Sequence, residues 1–398
     1  MEQHYDVVII GAGPSGCSAA IFLAKNTDLK ILLVDKETFP REKVCGDGLV
    51  GDSPRCLKEL GLWDKIKNTG HSTSKIVFYP FTDNRSFSFD ADIVLLKRKI
   101  LDNIMFNETL AHKNVSYLHA SFQGKISRKQ NGSTIYLKGV LSKEEITISS
   151  KFVIFSFGCQ SNKGIYSTLS VPYRKPDSIF IRGYYKADWK ITDPTILFLG
   201  HSVKGYIWVF PIGNQIFNVG CGIANFGKAK YRIRELFYEN IEKLDLKYNT
   251  KGNWESDPPR GAIIYWGLRK FRKFSKENIL FAGETISSSY PFTGEGIGKA
   301  METGIIAAKS IIESVKGNTD NPAAIYNRMI KDLSKFYKPY WLAALVGIFS
   351  PLYNKYFEHV IKNPSESKRI SDILSEKAQF PTKYYILKRL LKLIFRKH

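Results

Sequence analysis

A glycine-rich turn near the start of the chain separates an apolar run from a helical segment. Residues 5–10 read YDVVII, which is typical of a buried strand, and GAGPSG follows at once. The next residues, CSAAIFLAK, have helical periodicity. In this context Gly11 permits a tight turn, Gly13 lets a pyrophosphate approach the backbone, and Gly16 lets the helix pack on the strand. The helix N-terminus then faces the phosphates, so the segment predicts a dinucleotide-binding βα unit.

A second strand follows that helix and ends in an acidic residue. Residues 30–34 read KILLV, and Asp35 comes 24 residues after Gly11. A carboxylate at this position can accept hydrogen bonds from both ribose hydroxyls of an adenosine. The motif alone does not separate FAD from NAD, and a βαβ unit without a phosphate ligand is the remaining alternative.

The composition is that of a folded protein with a strong positive charge. Of the 398 residues, 43% are hydrophobic and 13% are aromatic, which fits a globular chain with more than one subdomain. The formal net charge of +22 favours acidic partners, namely nucleic acid, anionic lipid or phosphorylated substrates. A lysine-rich surface with no such role is the alternative explanation.

Five cysteines lie at the scattered positions 17, 45, 56, 159 and 221, with no CxxC pair. Their number and spacing argue against a disulfide framework and a metal site, and favour a reducing compartment. The sequence starts without the features of a secretory signal, and no apolar run reaches the roughly 18 residues of a membrane span. We therefore predict a cytoplasmic protein, either free or peripheral on the inner face of the cytoplasmic membrane.

Three further segments resemble a known family. They are FPREKVCGDGL at 39–49, YIWVFP at 206–211 followed after eight residues by GCG at 220–222, and ILFAGE with PFTGEGI at 279–284 and 291–297. Together they resemble the geranylgeranyl reductase family, which are flavoproteins of the p-hydroxybenzoate hydroxylase-like superfamily. Within this family, the bacterial branch with CGDGL, which includes menaquinone-chain reductases, has the most similar motifs. The resemblance covers residues 5–376.

The resemblance implies that the dinucleotide is FAD. Arg98 matches an arginine that contacts FAD, Gly283 and position 284 match a GD pair at the ribityl chain and pyrophosphate, and residues 291–297 match a loop and helix N-terminus facing the flavin N1/C2 edge. Helix-terminal amides would stabilise the negative charge of reduced flavin there. The predicted cofactor-binding residues are Gly11, Gly13, Pro14, Ser15, Gly16, Asp35, Lys36, Arg41, Cys45, Gly46, Arg98, Gly283, Glu284, Pro291, Gly294, Gly296 and Ile297.

The sequence departs from the family at two positions of the predicted FAD site. Position 284 is Glu where the family usually has Asp, so the carboxylate is one methylene longer. Phe157, in FVIFSFGCQS at 152–161, stands where relatives have an acidic residue. Both changes concern the details of FAD binding.

The resemblance also assigns the substrate side of the site. Cys45 matches a cysteine in the loop near the isoalloxazine ring and is the catalytic candidate; its alternative role is a small buried residue at a turn. In YIWVFP, three aromatic side chains share one face of a strand by their period of two, and they form either a wall against an apolar substrate or plain core. The predicted substrate-binding residues are Tyr206, Trp208, Phe210, Pro211, Gly220 and Gly222.

The predicted fold class is α/β: a Rossmann-like FAD-binding domain, a β-sheet substrate domain and a C-terminal helical tail. The FAD-binding domain is discontinuous and takes residues 1–70, 97–158 and 277–320. The substrate domain takes 71–96 and 159–276, where alternating runs such as SIFIRGYY indicate strands, interrupted by a helix near 228–245. Residues 321–398 form the helical tail.

The C-terminal region is predicted to consist of helices broken by Pro339, Pro351, Pro364 and Pro381. Its end, KYYILKRLLKLIFRKH at 383–398, carries six basic residues, no acidic one and an apolar face at helical spacing. We expect this segment to bind an anionic membrane surface. A C-terminal helix packed on the protein, with a solvated basic face, is the alternative.

The resulting functional hypothesis is an FAD-dependent oxidoreductase. It reduces carbon–carbon double bonds of an isoprenoid or other long apolar substrate by hydride transfer from flavin N5, with NAD(P)H or a reduced protein as electron donor. A flavin-dependent monooxygenase or halogenase is the alternative, because GYIWVFP resembles the halogenase GWxWxIP strand although CGDGL does not match the GES-type loop of those enzymes. A non-catalytic nucleic-acid- or lipid-binding protein is the third class. No nucleic-acid module appears, so no nucleic-acid partner is predicted.

Overall fold

A computed structural model describes residues 3–79, 86–129, 132–159, 175–199, 203–224, 232–255, 257–268, 274–291, 293–317, 321–343, 359 and 362–374. The strands of these segments are β1 Gln3–Ile10, β2 Ile31–Asp35, β3 Gly48–Leu49, β4 His71–Tyr79, β5 Phe87–Leu95, β6 Val115–Lys129, β7 Gly132–Gly139, β8 Glu145–Phe155, β9 Ser178–Lys186, β10 Thr195–Phe198, β11 Gly205–Pro211, β12 Ile216–Ala224, β13 Asn253–Trp254, β14 Arg260–Ile264, β15 Ser275–Lys276 and β16 Ile279–Phe281. The α-helices are α1 Pro14–Asn26, α2 Asp52–Glu59, α3 Trp63–Thr69, α4 Arg98–Leu110, α5 Ile233–Tyr248, α6 Ile297–Lys316, α7 Ala323–Ala343 and α8 Pro364–Leu374.

The first sheet has a parallel centre. β1 pairs in parallel with both β2 and β8, and β8 pairs in parallel with β16. β6 continues the sheet beyond β2 in its first part and pairs antiparallel with β7 in its second part. Because the central strands are buried on both faces, they read as continuous apolar runs such as VVII and ILLV. α1 and α6 pack against each other on this sheet.

The second sheet is mostly antiparallel, in the order β13-β9-β12-β11-β10-β4-β5-β3, with β14 also on β9. Its two faces differ because neighbouring strand residues point to opposite sides. Ile207 and Val209 lie in one apolar cluster with Phe237 and Ile241 of α5, so this helix covers one face. The aromatic residues of β11 are therefore on the other face.

The sequence-predicted α/β architecture is confirmed, with several local differences. Helix α5 begins at Ile233 and runs to Tyr248, whereas the sequence predicted 228–245; residues 225–231 lie outside the described segments. β3 lies within 1–70 but pairs with β5 of the second sheet, and β15 lies within 159–276 but pairs with β16 of the first. The proposed domain limits therefore remain a prediction, since the two sheets exchange short strands near those limits.

The prediction that Pro339 breaks a helix is wrong. α7 continues through this position to Ala343, and the buried Tyr337, Tyr340 and Trp341 lie in the main apolar core on both sides of it. Packing of these aromatic side chains offsets the one backbone hydrogen bond that proline cannot donate. Pro364 instead begins α8, where a missing N–H costs little. Pro351, Pro381 and the basic end at 383–398 lie outside the described residues.

Within the described ranges, no helix combines the length and the apolar character that crossing a bilayer requires.

Candidate active site

The candidate site begins where three parallel strands end together. Phe155 of β8 is in register with Ile10 of β1 on one side and with Phe281 of β16 on the other. Gly11 follows β1 with a φ of +110°, and an added Cβ there would lie 2.4 Å from the Ser156 carbonyl oxygen. The turn therefore requires glycine.

The glycine turn and α1 form an open cradle. Among the described residues, an added Cβ on Gly13 would meet nothing closer than Arg41 Nη2 at 3.5 Å, whereas one on Gly16 would overlap the Gly11 carbonyl oxygen at 1.8 Å. No side chain of the described segments caps the α1 N-terminus, which starts at Pro14. The Ser15 hydroxyl is buried and has no hydrogen-bond partner among the described residues. Free helix-terminal donors and an unused hydroxyl fit a phosphate group.

Asp35 lies at the end of β2, next to this cradle. Its Oδ2 accepts a hydrogen bond from Ala12 N at 2.6 Å and its Oδ1 accepts one from Glu37 N at 2.9 Å. These bonds fix a nearly buried carboxylate at the end of β2, and each oxygen keeps a further lone pair for a ribose hydroxyl. The Lys36 side chain is half-exposed, unlike that of Asp35, and its ammonium lies 3.8 Å from Glu37 Oε1. Lys36 therefore lies at the rim of the cradle.

Two predicted arginines meet at a carboxylate. Asp102 accepts hydrogen bonds from Arg98 Nε at 2.6 Å and Nη2 at 2.7 Å, and Arg41 Nη2 is 3.1 Å away. Burial opposes the charge on Arg98, but Asp102 outweighs it and raises the guanidinium pKa. The Arg41 Nε is buried with no hydrogen-bond partner among the described residues. Arg41 thus places a cationic group beside Gly13, which suits an anionic cofactor.

The Cys45 loop is held by the second sheet. The Cys45 carbonyl oxygen accepts hydrogen bonds from Asn218 Nδ2 at 2.9 Å and Arg182 Nε at 3.2 Å. Gly46 lies against the aromatic face, since an added Cβ would be 3.6 Å from Phe210 Cε2 and 3.7 Å from Trp208 Nε1. Cys45 is partly exposed, and its side chain packs in part against the main apolar core.

Asp47 is the buried centre of the same loop. It has no exposed surface and adopts a φ of +63°. Its Oδ2 accepts hydrogen bonds from the Tyr184 hydroxyl at 2.5 Å and Asn218 Nδ2 at 2.8 Å. Burial raises the pKa of Asp47, and Arg182, Tyr184 and Asn218 oppose that rise. The loop is therefore fixed to the sheet through a polar cluster in addition to the packing of Gly46 on the aromatic rings.

The loop before α6 contacts the aromatic face. The Tyr206 hydroxyl donates a hydrogen bond to the Thr293 carbonyl oxygen at 3.2 Å and lies 3.3 Å from where a Cβ of Gly294 would be. Burial raises the pKa of Tyr206 to about 12, so the hydroxyl keeps its proton as a donor. Pro291 begins this loop, Gly296 precedes the first turn of α6 at Ile297, and Phe292 lies outside the described residues.

The two departures from the family pattern have clear structural positions. Gly283 follows β16, and an added Cβ would lie 2.9 Å from Ser15 Cβ, so this residue closes the cradle from the opposite side. The longer Glu284 side chain accepts a hydrogen bond from the Ser289 hydroxyl, and its Oε1 is 3.4 Å from the Cβ position of Gly296. The Phe157 ring packs edge-on to Phe155 at 5.8 Å, so it extends the core instead of supplying a carboxylate.

Aromatic rings form a continuous wall on the open face of the second sheet. Trp208 lies 6.1 Å from Tyr206 and 6.2 Å from Phe180, and Tyr206 lies 6.3 Å from Phe198. Gly220 makes room for the indole, because an added Cβ would be 1.9 Å from Trp208 Cζ2; Gly222 is less crowded, at 3.7 Å. Pro211 was also predicted to bind substrate. Strand alternation puts it on the face that packs against α5, so it is not part of the wall.

A buried ion pair anchors the start of α6. The Lys299 ammonium contacts Asp52 and lies 2.8 Å from Glu302 Oε2, and the Lys299 and Asp52 side chains are almost completely buried. Lys299→Met is expected to lower the free energy of unfolding by about 3 kcal/mol, because it leaves Asp52 as a buried charge without its nearest cation. Urea denaturation would measure this.

Lys309→Met is the matched control on the same helix. Its ammonium pairs with Glu59 at 2.6 Å, but both side chains are partly exposed. Loss of such a pair costs about 0–1 kcal/mol. Equal destabilisation by the two substitutions would contradict a special role for the buried pair.

Six polar residues that position this site were not predicted from the sequence. They are Asp47, Asp102, Arg182, Tyr184, Asn218 and Lys299. Two local signals were available, because Asp102 follows Arg98 by four residues and Glu302 follows Lys299 by three, so each pair lies on one helix face. The other contacts join distant segments and leave no local pattern. No group of metal-ligating side chains comes together in the part of the chain that the structure describes.

Comparison with known proteins places these features in a family. The FAD binding domain family matches residues 4–323. The chain is 26% identical to the digeranylgeranylglycerophospholipid reductase of Methanocella arvoryzae, over 85% of this chain and 87% of that protein. It is 27% identical to the menaquinone reductase of Mycobacterium tuberculosis, over 78% and 77% respectively.

Solved structures agree on the fold. A geranylgeranyl bacteriochlorophyll reductase-like protein from Thermoplasma acidophilum has a TM-score of 0.73 at 20% identity, covering 100% of this chain and 97% of that one. A flavin-dependent brominase has a TM-score of 0.78 at 20% identity and covers 100% of both chains. At this identity the likeness concerns the fold alone. The family match over most of the chain, together with a cradle that fits a dinucleotide phosphate, establishes that the chain belongs to the FAD binding domain family.

Proposed function

We propose that this protein is an FAD-dependent reductase that saturates carbon–carbon double bonds of an isoprenoid or other long apolar substrate. The observation that carries the proposal is the aromatic wall of Tyr206, Trp208 and Phe180, which meets the predicted flavin loop through the bond from Tyr206 to Thr293. An apolar wall beside a flavin suits a substrate without polar groups. The names of relatives that reduce digeranylgeranylglycerophospholipid and menaquinone support the same substrate class.

The residues of the cradle would hold FAD in a defined way. Gly13 and Ser15 would face the pyrophosphate, Asp35 the ribose, and the first turn of α6 the flavin ring. Bound FAD supplies the hydride chemistry that alkene reduction needs. The amides at the α6 N-terminus favour negative charge in the reduced cofactor.

The chain must also deliver a proton. An isolated alkene accepts hydride poorly, so protonation of the second carbon has to assist the transfer. Cys45 is the candidate acid, since its thiol lies on the loop that Asn218 and Arg182 hold against the wall.

The direct test is an anaerobic assay with the FAD-loaded protein. Chemically reduced enzyme is incubated with polyprenyl lipids and quinones, and mass spectrometry then follows the gain of two hydrogen atoms for each saturated bond. Electron donors, NAD(P)H or a reduced ferredoxin-type protein, are compared in the same assay. In a parallel aerobic assay, oxygen-dependent turnover without saturated product would instead support a monooxygenase or halogenase, a class represented among the structural relatives.

Cys45→Ser is expected to leave FAD bound and to lower turnover by about 100-fold, the lower range of general acid–base contributions. A partly reduced polyene should accumulate, because later bonds are also protonated more slowly. Flavin absorbance measures occupancy, and product masses measure the extent of reduction. Unchanged kinetics and product pattern would assign Cys45 a structural role.

We further propose that the basic segment 383–398, outside the described residues, docks the protein on an anionic bilayer. A substrate dissolved in the membrane requires such access, and each of the six cations near the surface contributes about 1 kcal/mol. Removal of 383–398 is expected to weaken pelleting with phosphatidylglycerol liposomes and to reduce its salt sensitivity. Reduction of a short soluble analogue should persist. Loss of FAD or of the folded state in the truncated protein would show that the segment packs on the body instead.

A further inference from the structure

Asn218 connects the aromatic wall to the Cys45 loop. It lies in β12 with no exposed surface. Its Oδ1 accepts a hydrogen bond from Trp208 Nε1 at 2.8 Å, and its Nδ2 donates to the Cys45 carbonyl oxygen at 2.9 Å and to Asp47 Oδ2 at 2.8 Å. The indole N–H is only a donor, which fixes the orientation of the amide. Both amide hydrogens and the amide oxygen are thus used within the protein.

The strand register explains why one side chain can make all three contacts. Asn218 is in register with Tyr184 of β9 and with Phe210 of β11. It therefore lies between Tyr184, which donates a hydrogen bond to Asp47, and Phe210, whose ring is next to Gly46. The Cys45 loop therefore lies directly over the side-chain amide of Asn218. The hydrogen bonds run from the Trp208 indole through the Asn218 amide to the Cys45 backbone, and the indole also lies beside Gly46.

We propose that Asn218 is a positioning residue that sets the location of the Cys45 thiol according to the position of Trp208. This proposal rests on the function proposed above, since an apolar chain lying on the wall would fix the indole and, through Asn218, the Cys45 loop. Such a link defines which bond of a polyene lies beside Cys45. Asn218 is hydrogen-bonded both to Trp208 in the wall and to the Cys45 backbone in the loop.

The test measures alkylation of Cys45 by iodoacetamide in the FAD-loaded protein, followed by peptide mass spectrometry. Asn218→Ala is expected to change the alkylation rate of Cys45 by about tenfold with FAD occupancy unchanged, because the loop loses one of its two carbonyl donors. Trp208→Phe keeps a ring in the wall but removes the indole donor, and it should change the rate in the same direction. The double variant should change the rate no more than Asn218→Ala alone, because both substitutions interrupt the same link.

Asn240→Ala provides the control. Asn240 lies in α5 on the opposite side of the sheet and donates to the Leu236 carbonyl oxygen at 2.7 Å. It should leave Cys45 alkylation unchanged. An unchanged rate in folded, FAD-bound Asn218→Ala protein, or additive effects of Asn218→Ala and Trp208→Phe, would overturn the proposal. Trp208→Phe alone decides the matter if Asn218→Ala does not fold, since an unaltered rate in that variant also contradicts the link.

Geranylgeraniol serves as the probe that separates this inference from the proposed function. It should protect Cys45 from alkylation in the wild-type protein and protect it about tenfold less in Trp208→Phe, whose link to the loop is broken. Absence of protection in the wild type would contradict an apolar substrate on the wall. The alkylation rates without probe would still decide the role of Asn218.

Discussion

Gly13→Val is expected to yield a folded protein that purifies without yellow colour. In the described part of the chain, the nearest atom to a Cβ added at Gly13 is Arg41 Nη2 at 3.5 Å, so the valine Cβ meets little protein. That space is where the pyrophosphate would approach the backbone, and the new side chain blocks it. We expect FAD affinity to fall at least about 100-fold, or ~2.8 kcal/mol. Flavin absorbance after gel filtration and calorimetric titration of the apoprotein would measure the loss.

Gly261→Val is the matched control for this substitution. Gly261 lies in β14 on the second sheet, where an added Cβ would have an ordinary contact of 3.6 Å with the Phe180 carbonyl oxygen. This variant should remain yellow. Full flavin occupancy in Gly13→Val would show that the cofactor does not use the turn after β1.

Gly220→Ala is expected to abolish most alkene reduction while FAD stays bound. The added Cβ would overlap Trp208 Cζ2 at 1.9 Å, so the indole must leave its position in the wall. A displacement of this kind misplaces the substrate relative to the cofactor, and an error of about 1 Å can cost about 100-fold in rate. The overlap should also destabilise the fold by about 1–3 kcal/mol. Turnover, flavin absorbance and the urea midpoint are measured together.

Gly222→Ala tests the same motif without the overlap. Its added Cβ would lie 3.7 Å from Trp208 Cζ3, an ordinary van der Waals contact. We expect less than about a tenfold change in turnover, since the indole stays in place. Equal losses in the two variants would show that the motif acts through the backbone and not through the position of Trp208.

Local features of the site were predictable from the sequence. The turn after β1 depends on glycines a few residues apart, and both the strand before it and the helix after it have their own periodicity. The wall was predictable as a face, because Tyr206, Trp208 and Phe210 alternate along one strand. The same alternation puts Pro211 on the opposite face, so its prediction as a substrate-binding residue was inconsistent with the strand pattern. These inferences needed only neighbouring residues.

Long-range polar contacts were not predictable in this way. Asn218 and Cys45 are separated by 173 residues, and no periodicity connects them. Asp47 stands in a loop, where a carboxylate ordinarily indicates a solvated turn and not a buried acceptor. Continuation of α7 through Pro339 was likewise decided by aromatic packing, which outweighs the local preference of proline.

The shared pairing of β8 has a consequence for biosynthesis. A nascent chain that has emerged only as far as β8 can align Phe155 with Ile10, but it lacks the partner on the other side, Phe281, and the glycine that follows it. Since domains fold as units during synthesis, the cofactor cradle closes only after β16 and α6 have left the ribosome. We therefore expect capture of FAD to be a late event, and we expect a chain that ends before residue 279 not to retain the cofactor.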